Sequence, residues 1–568
     1  MFVGLPMQFG APIISFLATR VMFEVKKYSA SMETSDRLRL DADIYRPDST
    51  TKKFPVLLMR QPYGRAIAST VVYAHPSWYA ARGYIVVVQD VRGMGTSQGD
   101  FQLFAREVED GFETVNWAAN LPGSNGKVGM YGFSYQGMTQ LYAAAQKPPA
   151  LKVICPAMLA FDLYHDWAYE NGAFCFQANL AWAIQLAAIQ AGFRGKEREY
   201  HQLYAAARNL PLYDPIPASP EILSKLAPES FYHIWLERTD PDDEYWRKLS
   251  PKYFIEKIDL PMLHIGGWFD PYLRGTLNLY KYMAAHSKLP QHLVIGPWGH
   301  LPWGRKVGSI DYGSEAVSQI DSLQIEWFDR FLKDKDNGIL KEKSVKLFMM
   351  GSNRWLKLDR YPANNYKAFY LASNGLANID DSGGHLRETL TEILPSQDTI
   401  VSDPWRPVPS VGGHPAFPSG SFDRSSLDCR SDILTYTSAA MTADLNLAGD
   451  VWLEIYCHAD PPSFDLCAIL SEVYPNGKVC NFTQGYARYS TDKIKQDSVK
   501  LVLQSTCVTI SKNNRLRLSL SATNFPAYSV NPGTLTLANV TKMIDAKVIT
   551  IKISCGGDSS SRILLPIE

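Results

Sequence analysis

The sequence predicts an α/β domain built on a parallel sheet, interrupted by a helical insertion and followed by an all-β sandwich. Three observations carry this. First, short continuous apolar runs at 54–59, 84–88, 127–131, 151–155, 260–265 and 292–295 are interleaved with helical patterns such as 104–120 and 136–147. Strands of a parallel sheet read this way, because helices cover both faces and leave no side for water. Second, between about 158 and 255 the runs stop and the chain becomes helical, rich in Ala, Leu and aromatics. Core strands then resume, so this block is an insertion, placed where a lid would sit. Third, after Lys346 helical patterns largely vanish. Period-two segments such as 451–456, 499–504 and 516–521 take over, with Gly, Pro and Asn between them, which indicates a β-sandwich of jelly-roll type.

Taken in order, residues 1–22 form an N-terminal extension. They carry no charge before Arg20, no basic start and no unbroken apolar core, since Pro6, Gly10 and Pro12 interrupt them. A secretory signal or a membrane helix needs what is missing here, so a cytoplasmic protein is expected. Residues 23–46 alternate and read as antiparallel edge strands. The sheet domain then occupies 23–157 and 256–345, the helical cap 158–255, and the sandwich 346–568, with 375–430 largely loop.

The 568 residues call for two or three domains. Lys+Arg and Asp+Glu are both 57, so no net charge favours nucleic acid or an anionic membrane as partner. The eight cysteines show no C-x-x-C and no zinc-like Cys/His spacing. They read mostly as reduced core thiols, with a disulfide or two open if the chain is exported.

The chemistry starts at Gly132-Phe-Ser-Tyr-Gln-Gly137, where an apolar run meets a helical pattern. A serine there suits a nucleophile elbow, although Gly and Ser also make ordinary turns. In α/β hydrolases an acid and then a histidine follow the serine along the chain. Asp270, in Gly267-Trp-Phe-Asp270 after the run 260–265, is the candidate acid; read alone it is equally a capping aspartate. His300, closing Gly296-Pro-Trp-Gly-His300 after the run 292–295, is the candidate base. Imidazole suits that task because it exchanges a proton near neutral pH. Asp90-Val-Arg-Gly-Met-Gly-Thr-Ser-Gln-Gly99 lacks the Gly-Lys-Ser/Thr of a phosphate loop. It reads as a scaffold turn in which Asp90 and Arg92 pair.

These stretches, with Arg60-Gln-Pro-Tyr63, resemble the cocaine esterase and Xaa-Pro dipeptidyl-peptidase family (CocE/NonD, S15) from about residue 25 to the end. The resemblance implies an α/β-hydrolase fold with a helical cap and a C-terminal jelly roll. It accounts for the late second glycine, since G-x-S-Y-x-G is that family's usual elbow. It also implies Ser134 as nucleophile, His300 as base and Asp270 as its orienting acid. The oxyanion donors would be the Tyr63 phenol and the Tyr135 backbone N–H. Trp182, and at comparable places Trp167 and Tyr272, would line the acyl pocket. No cofactor or metal is called for.

The expected substrate is a small-molecule ester, or less readily a short peptide; a homodimer is left open. Relatives that take free α-amino groups place cap carboxylates near the serine, which singles out Glu170 and the run Asp242-Asp243-Glu244. Surface charges are usually solvated, so neutral esters are expected to be preferred. Xaa-Pro dipeptidyl-peptidase or α-amino acid ester hydrolase activity is the alternative. A non-catalytic binding protein is the distant one.

Overall fold

The computed structural model describes residues 22–568 except 67–69, 214–215, 217, 363–364, 381, 392, 492–497 and 537–539. The expected extension at 1–22 therefore lies, but for Met22, outside the described residues.

Ten strands make the first sheet. They are β1 (Val25–Glu33), β2 (Arg39–Pro47), β3 (Phe54–Gln61), β4 (Ile85–Asp90), β5 (Ser124–Phe133), β6 (Leu151–Ala157), β7 (Met262–Phe269), β8 (Gln291–Gly299), β9 (Val345–Met349) and β10 (Arg354–Leu358). Their spatial order is β1-β2-β4-β3-β5-β6-β7-β8-β9-β10. The strands from β4 to β9 run parallel, and antiparallel β1-β2 and β10 close the two ends. Every residue of β3, β4, β7 and β8 is buried. That double-sided burial is why these strands appear as unbroken apolar runs.

The expected boundary at 345/346 falls inside this sheet. β9 and β10 form a hairpin through the turn at Gly351 and Asn353, and no helix separates them. A strand pair joined directly has the appearance of the all-β region that follows it, which is why sequence pattern assigned it there.

Helices α1 (Glu107–Ala119), α2 (Tyr135–Ala145), α8 (Leu273–His286) and α9 (Ile320–Leu332) cover the sheet. Between β6 and β7 stands the cap. It holds a turn at Tyr164–Ala168, the small hairpin Tyr169–Glu170 with Ala173–Phe174, and helices α3 (Phe176–Phe193), α4 (Glu197–Arg208), α5 (Glu221–Leu226), α6 (Phe231–Glu237) and α7 (Glu244–Leu249). α3 buries residues all around its circumference, Trp182 and Ile184 as well as Asn179. A helix apolar on every side must be enclosed, and the cap and the sandwich enclose this one.

The C-terminal domain is the expected β-sandwich. A long ladder pairs Leu445–Ala459 with Ser498–Ile510, with a bulge between Gly449 and Val451. The stretch expected to be loop carries two strands, Gly384–Arg387 and Ser396–Ser402. The sandwich core continues without a break into Trp268, Phe269, Leu273 and Leu277 of the first domain. None of the eight cysteines forms a disulfide; six are buried, Cys175 is half-buried and Cys429 exposed. No helix among the described residues is long and apolar enough to cross a membrane.

Candidate active site

Ser134 stands alone between β5 and α2, at φ 61° and ψ −126°. A non-glycine residue held there is strained, and two pairs of hydrogen bonds keep it in place. Its N–H donates to the carbonyls of Ala157 (2.9 Å) and Met158 (3.1 Å). Its carbonyl accepts from the N–H groups of Gly137 (2.9 Å) and Met138 (3.0 Å). Both motif glycines are explained by the same turn. A Cβ on Gly132, at φ +142°, would lie 2.4 Å from Gln136 Cβ; one on Gly137 would lie 2.7 Å from the Ala157 carbonyl. The close approach of chain to helix thus falls at residue 137, which is why the second glycine comes one place late.

Asp270 follows β7 directly and is fully buried. Its Oδ1 lies 2.7 Å from Nδ1 of His300, which follows β8. The His300 ring is wedged between Phe133, at 5.3 Å, and Tyr272, at 5.0 Å between ring centres. Because Phe133 immediately precedes Ser134, that packing sets the imidazole against the elbow. The three side chains therefore gather at the carboxyl ends of parallel strands, where open α/β sheets hold their ligands. A residue from the sandwich supports the Asp270 turn. Gln504 Nε2 donates to the carbonyls of Trp268 (2.9 Å) and Asp270 (3.2 Å). The apolar run around Gln504 gave no hint of this, since its partners are more than 230 residues away.

Tyr63 follows β3. Its N–H donates to Gln61 Oε1 at 2.7 Å, and its hydroxyl accepts from Trp182 Nε1 at 3.1 Å. Burial pushes the phenol up to about 12, against hydrogen bonds from Trp182 and Ser134. The hydroxyl thus keeps its proton near neutral pH and sits beside the serine. The Tyr135 N–H is the first of α2 and has no acceptor within its own helix. The Tyr135 side chain points away, its hydroxyl donating to Glu107 Oε1 at 2.8 Å.

Tyr272, Trp167 and Trp182 form a continuous aromatic wall, with ring centres 4.2 Å and 5.0 Å apart. Phe104 and Phe231 extend it, at 5.8 Å from Trp167 and 4.8 Å from Trp182 respectively. Sequence pattern missed both. Phe104, read in the sequence as the start of the helical pattern 104–120, sits instead in a turn at positive φ ahead of the helix, which begins at Glu107.

Two expectations are corrected. Asp90 and Arg92 do not pair with each other. β4 ends at Asp90, so same-side geometry does not reach Arg92. Asp90 takes the Arg65 N–H at 2.6 Å and the Arg65 guanidinium, whereas Arg92 holds Asp110 and Asp36. Glu170, expected to be solvated, is 2% exposed. It is paired with Arg274 at 2.8 Å and His414 at 3.0 Å, and accepts from the Tyr528 hydroxyl. Burial opposes its ionisation, yet the charges of Arg274 and His414 prevail and hold it at about 2. Asp242, Asp243 and Glu244 do lie at the surface, in pairs with Arg247, Arg238 and Lys248. Among the described residues no group of His, Cys, Asp and Glu could hold a metal ion.

The doubly covered parallel sheet with its capped serine elbow defines an α/β hydrolase. Residues 36–302 match the family described as X-Pro dipeptidyl-peptidase (S15 family), and residues 337–563 match the X-Pro dipeptidyl-peptidase C-terminal non-catalytic domain. The chain belongs to this CocE/NonD, S15 family of serine hydrolases. It is 28% identical over 561 residues to the cocaine esterase of Rhodococcus sp. (strain MB1 Bresler), spanning 94% of this chain and 96% of that protein. Among solved structures it resembles an aminopeptidase from the marine sediment archaeon Thaumarchaeota archaeon (TM-score 0.79, 21% identity, 98% of each chain). It also resembles an α-amino acid ester hydrolase (TM-score 0.78, 22% identity, 98% of each chain).

Proposed function

We propose that the protein cleaves carboxylic esters through an acyl-enzyme, with Ser134 as nucleophile, His300 as general base and Asp270 as its orienting acid. The observation that carries this reading is the 2.7 Å contact between buried Asp270 and half-buried His300, whose ring packs on Phe133 next to the strained serine. Oγ of Ser134 attacks the acyl carbon while His300 Nε2 takes its proton. Nδ1–H remains directed at Asp270, which fixes the tautomer and balances the imidazolium. The carbonyl oxygen becomes an oxyanion, held by the Tyr63 hydroxyl and the Tyr135 N–H. His300 returns the proton to the departing alkoxide, which leaves as an alcohol. A water molecule, deprotonated by His300, then releases the acid and restores Ser134.

The pocket favours neutral acyl groups. Its wall is aromatic, and Glu170 is already matched by Arg274 and His414. A buried ammonium needs a carboxylate of its own, and Glu170 has none to spare. Amino-acid esters and Xaa-Pro peptides, which present such an ammonium, are therefore the second reading.

A fluorophosphonate probe tests the first. Labelling should be stoichiometric in the native protein and absent in Ser134→Ala; label retained at another serine refutes the assignment. Phenylglycine methyl ester and phenylacetic acid methyl ester differ only by the amine. A higher kcat/KM for the amine-free ester is expected, and the reverse order would favour the second reading.

A further inference from the structure

Beneath the elbow lies a buried charged network that the proposed chemistry does not use. Arg60 and Tyr135 are fully buried and Glu107 nearly so. The Arg60 guanidinium pairs with Glu107, the first residue of α1. The other carboxylate oxygen of Glu107 accepts from the Tyr135 hydroxyl at 2.8 Å. Gln89 of β4 completes the frame. Its Oε1 accepts from Arg60 Nε at 2.7 Å and from Thr114 Oγ1 at 2.9 Å. Thr139, one turn along α2, reaches the Arg60 carbonyl at 3.4 Å.

Burying a charged pair costs more than packing apolar groups of the same size, so packing alone does not account for it. What the network does provide is a fixed distance between two chain segments. Arg60 stands three residues before Tyr63, and Tyr135 directly follows Ser134. Tyr63 and Tyr135 carry the two donors assigned above to the oxyanion, and they come from separate elements, the loop after β3 and the start of α2. Donors of this kind stabilise a developing charge only when they are set before it forms.

We propose that Glu107 is a positioning residue, which clamps Arg60 and the Tyr135 hydroxyl and so fixes the spacing of the two oxyanion donors. The inference rests on the assignment of Tyr63 and Tyr135 as those donors. Glu107 and Arg60 themselves touch neither substrate nor reacting atoms, and Tyr135 joins the network through its side chain alone.

The test compares Tyr135→Phe with Tyr63→Phe on a p-nitrophenyl ester, together with inhibition by phenylboronic acid, whose tetrahedral adduct with the serine mimics the oxyanion. Tyr135→Phe removes one hydroxyl and leaves the backbone N–H in place. Its kcat should fall roughly 10- to 100-fold through misplacement of the donor, with KM unchanged and boronate affinity falling in parallel. Stoichiometric fluorophosphonate labelling checks that the variant is folded. Should that variant prove too unstable to isolate, Glu107→Gln keeps an acceptor for Tyr135 while releasing Arg60, and the same loss of kcat at constant KM is expected. A lowered melting temperature with wild-type kcat and boronate affinity would mean a purely structural role and overturn the inference. If Tyr63→Phe is slow while Tyr135→Phe is not, the positioning role alone fails. If Tyr63→Phe is also fully active, the donor assignment falls and the inference with it.

Discussion

At Ser134 the chain accepts a conformation that L-residues avoid, and it does so next to a histidine held from two sides. Two consequences follow for single atoms. Tyr63→Phe removes a hydroxyl and almost no volume. If that hydroxyl faces the oxyanion, kcat should fall about 10²- to 10³-fold with KM little changed; steady-state kinetics on several esters decides, and equal rates would reduce Tyr63 to packing. Asp270→Asn should lower kcat by up to about 10⁴-fold, because the amide no longer enforces the tautomer that His300 needs. Wild-type rates in that variant would place the acid elsewhere. These residues were legible in the sequence for one reason. Ser134, Asp270 and His300 each follow an apolar run within a few residues, so the strand pattern itself marks them as candidates. Glu170 was not legible. The groups that decide its state, Arg274, His414 and Tyr528, lie far along the chain and meet it only through the fold.

Among the elements, the hairpin that carries Glu170 joins three parts of the molecule. Arg274 belongs to α8, His414 and Tyr528 to the sandwich, and Tyr486 of the sandwich donates its N–H to Glu170 at 3.3 Å. This makes cap docking sensitive to acid. The folded protein holds Glu170 at about 2, below its ordinary 4.5, so unfolding takes up a proton at intermediate pH. Its contribution to stability is complete above about pH 4.5 and is lost as the pH falls toward 2. The melting temperature of Glu170→Gln should therefore lie below that of the native protein near neutral pH, with the gap narrowing on acidification. A gap that stays constant from pH 6 down to 3 would contradict this. The parallel strands were predictable because burial on both faces leaves a signature, whereas β9 and β10, a hairpin with no helix between them, resembled the sandwich they precede.

At the scale of the whole molecule, the two domains share a continuous apolar cluster and several hydrogen-bonded joints. Gln504 reaches out of the sandwich to hold the carbonyls on either side of the acid's turn. Gln504→Leu keeps similar bulk and removes the side-chain donor to both carbonyls, leaving the Asp270 carbonyl only the Leu273 N–H at 3.2 Å, a loss worth about 1–3 kcal/mol. The expected result is a kcat reduced roughly tenfold or more by a displaced Asp270, with fluorophosphonate labelling slowed but present. Unchanged kinetics would show that the turn holds itself.

That joint bears on how such a protein can be rearranged. Cutting the gene between the two domains and splicing in a foreign sandwich would preserve every proposed catalytic side chain and still deliver an acid whose turn has lost its brace. Only a donor sandwich with an amide at the same place, and an apolar face that fits Trp268 and Leu273, would yield a working chimera. A chimera without this amide should therefore lose kcat as Gln504→Leu does, and restoring the amide at that place should recover it.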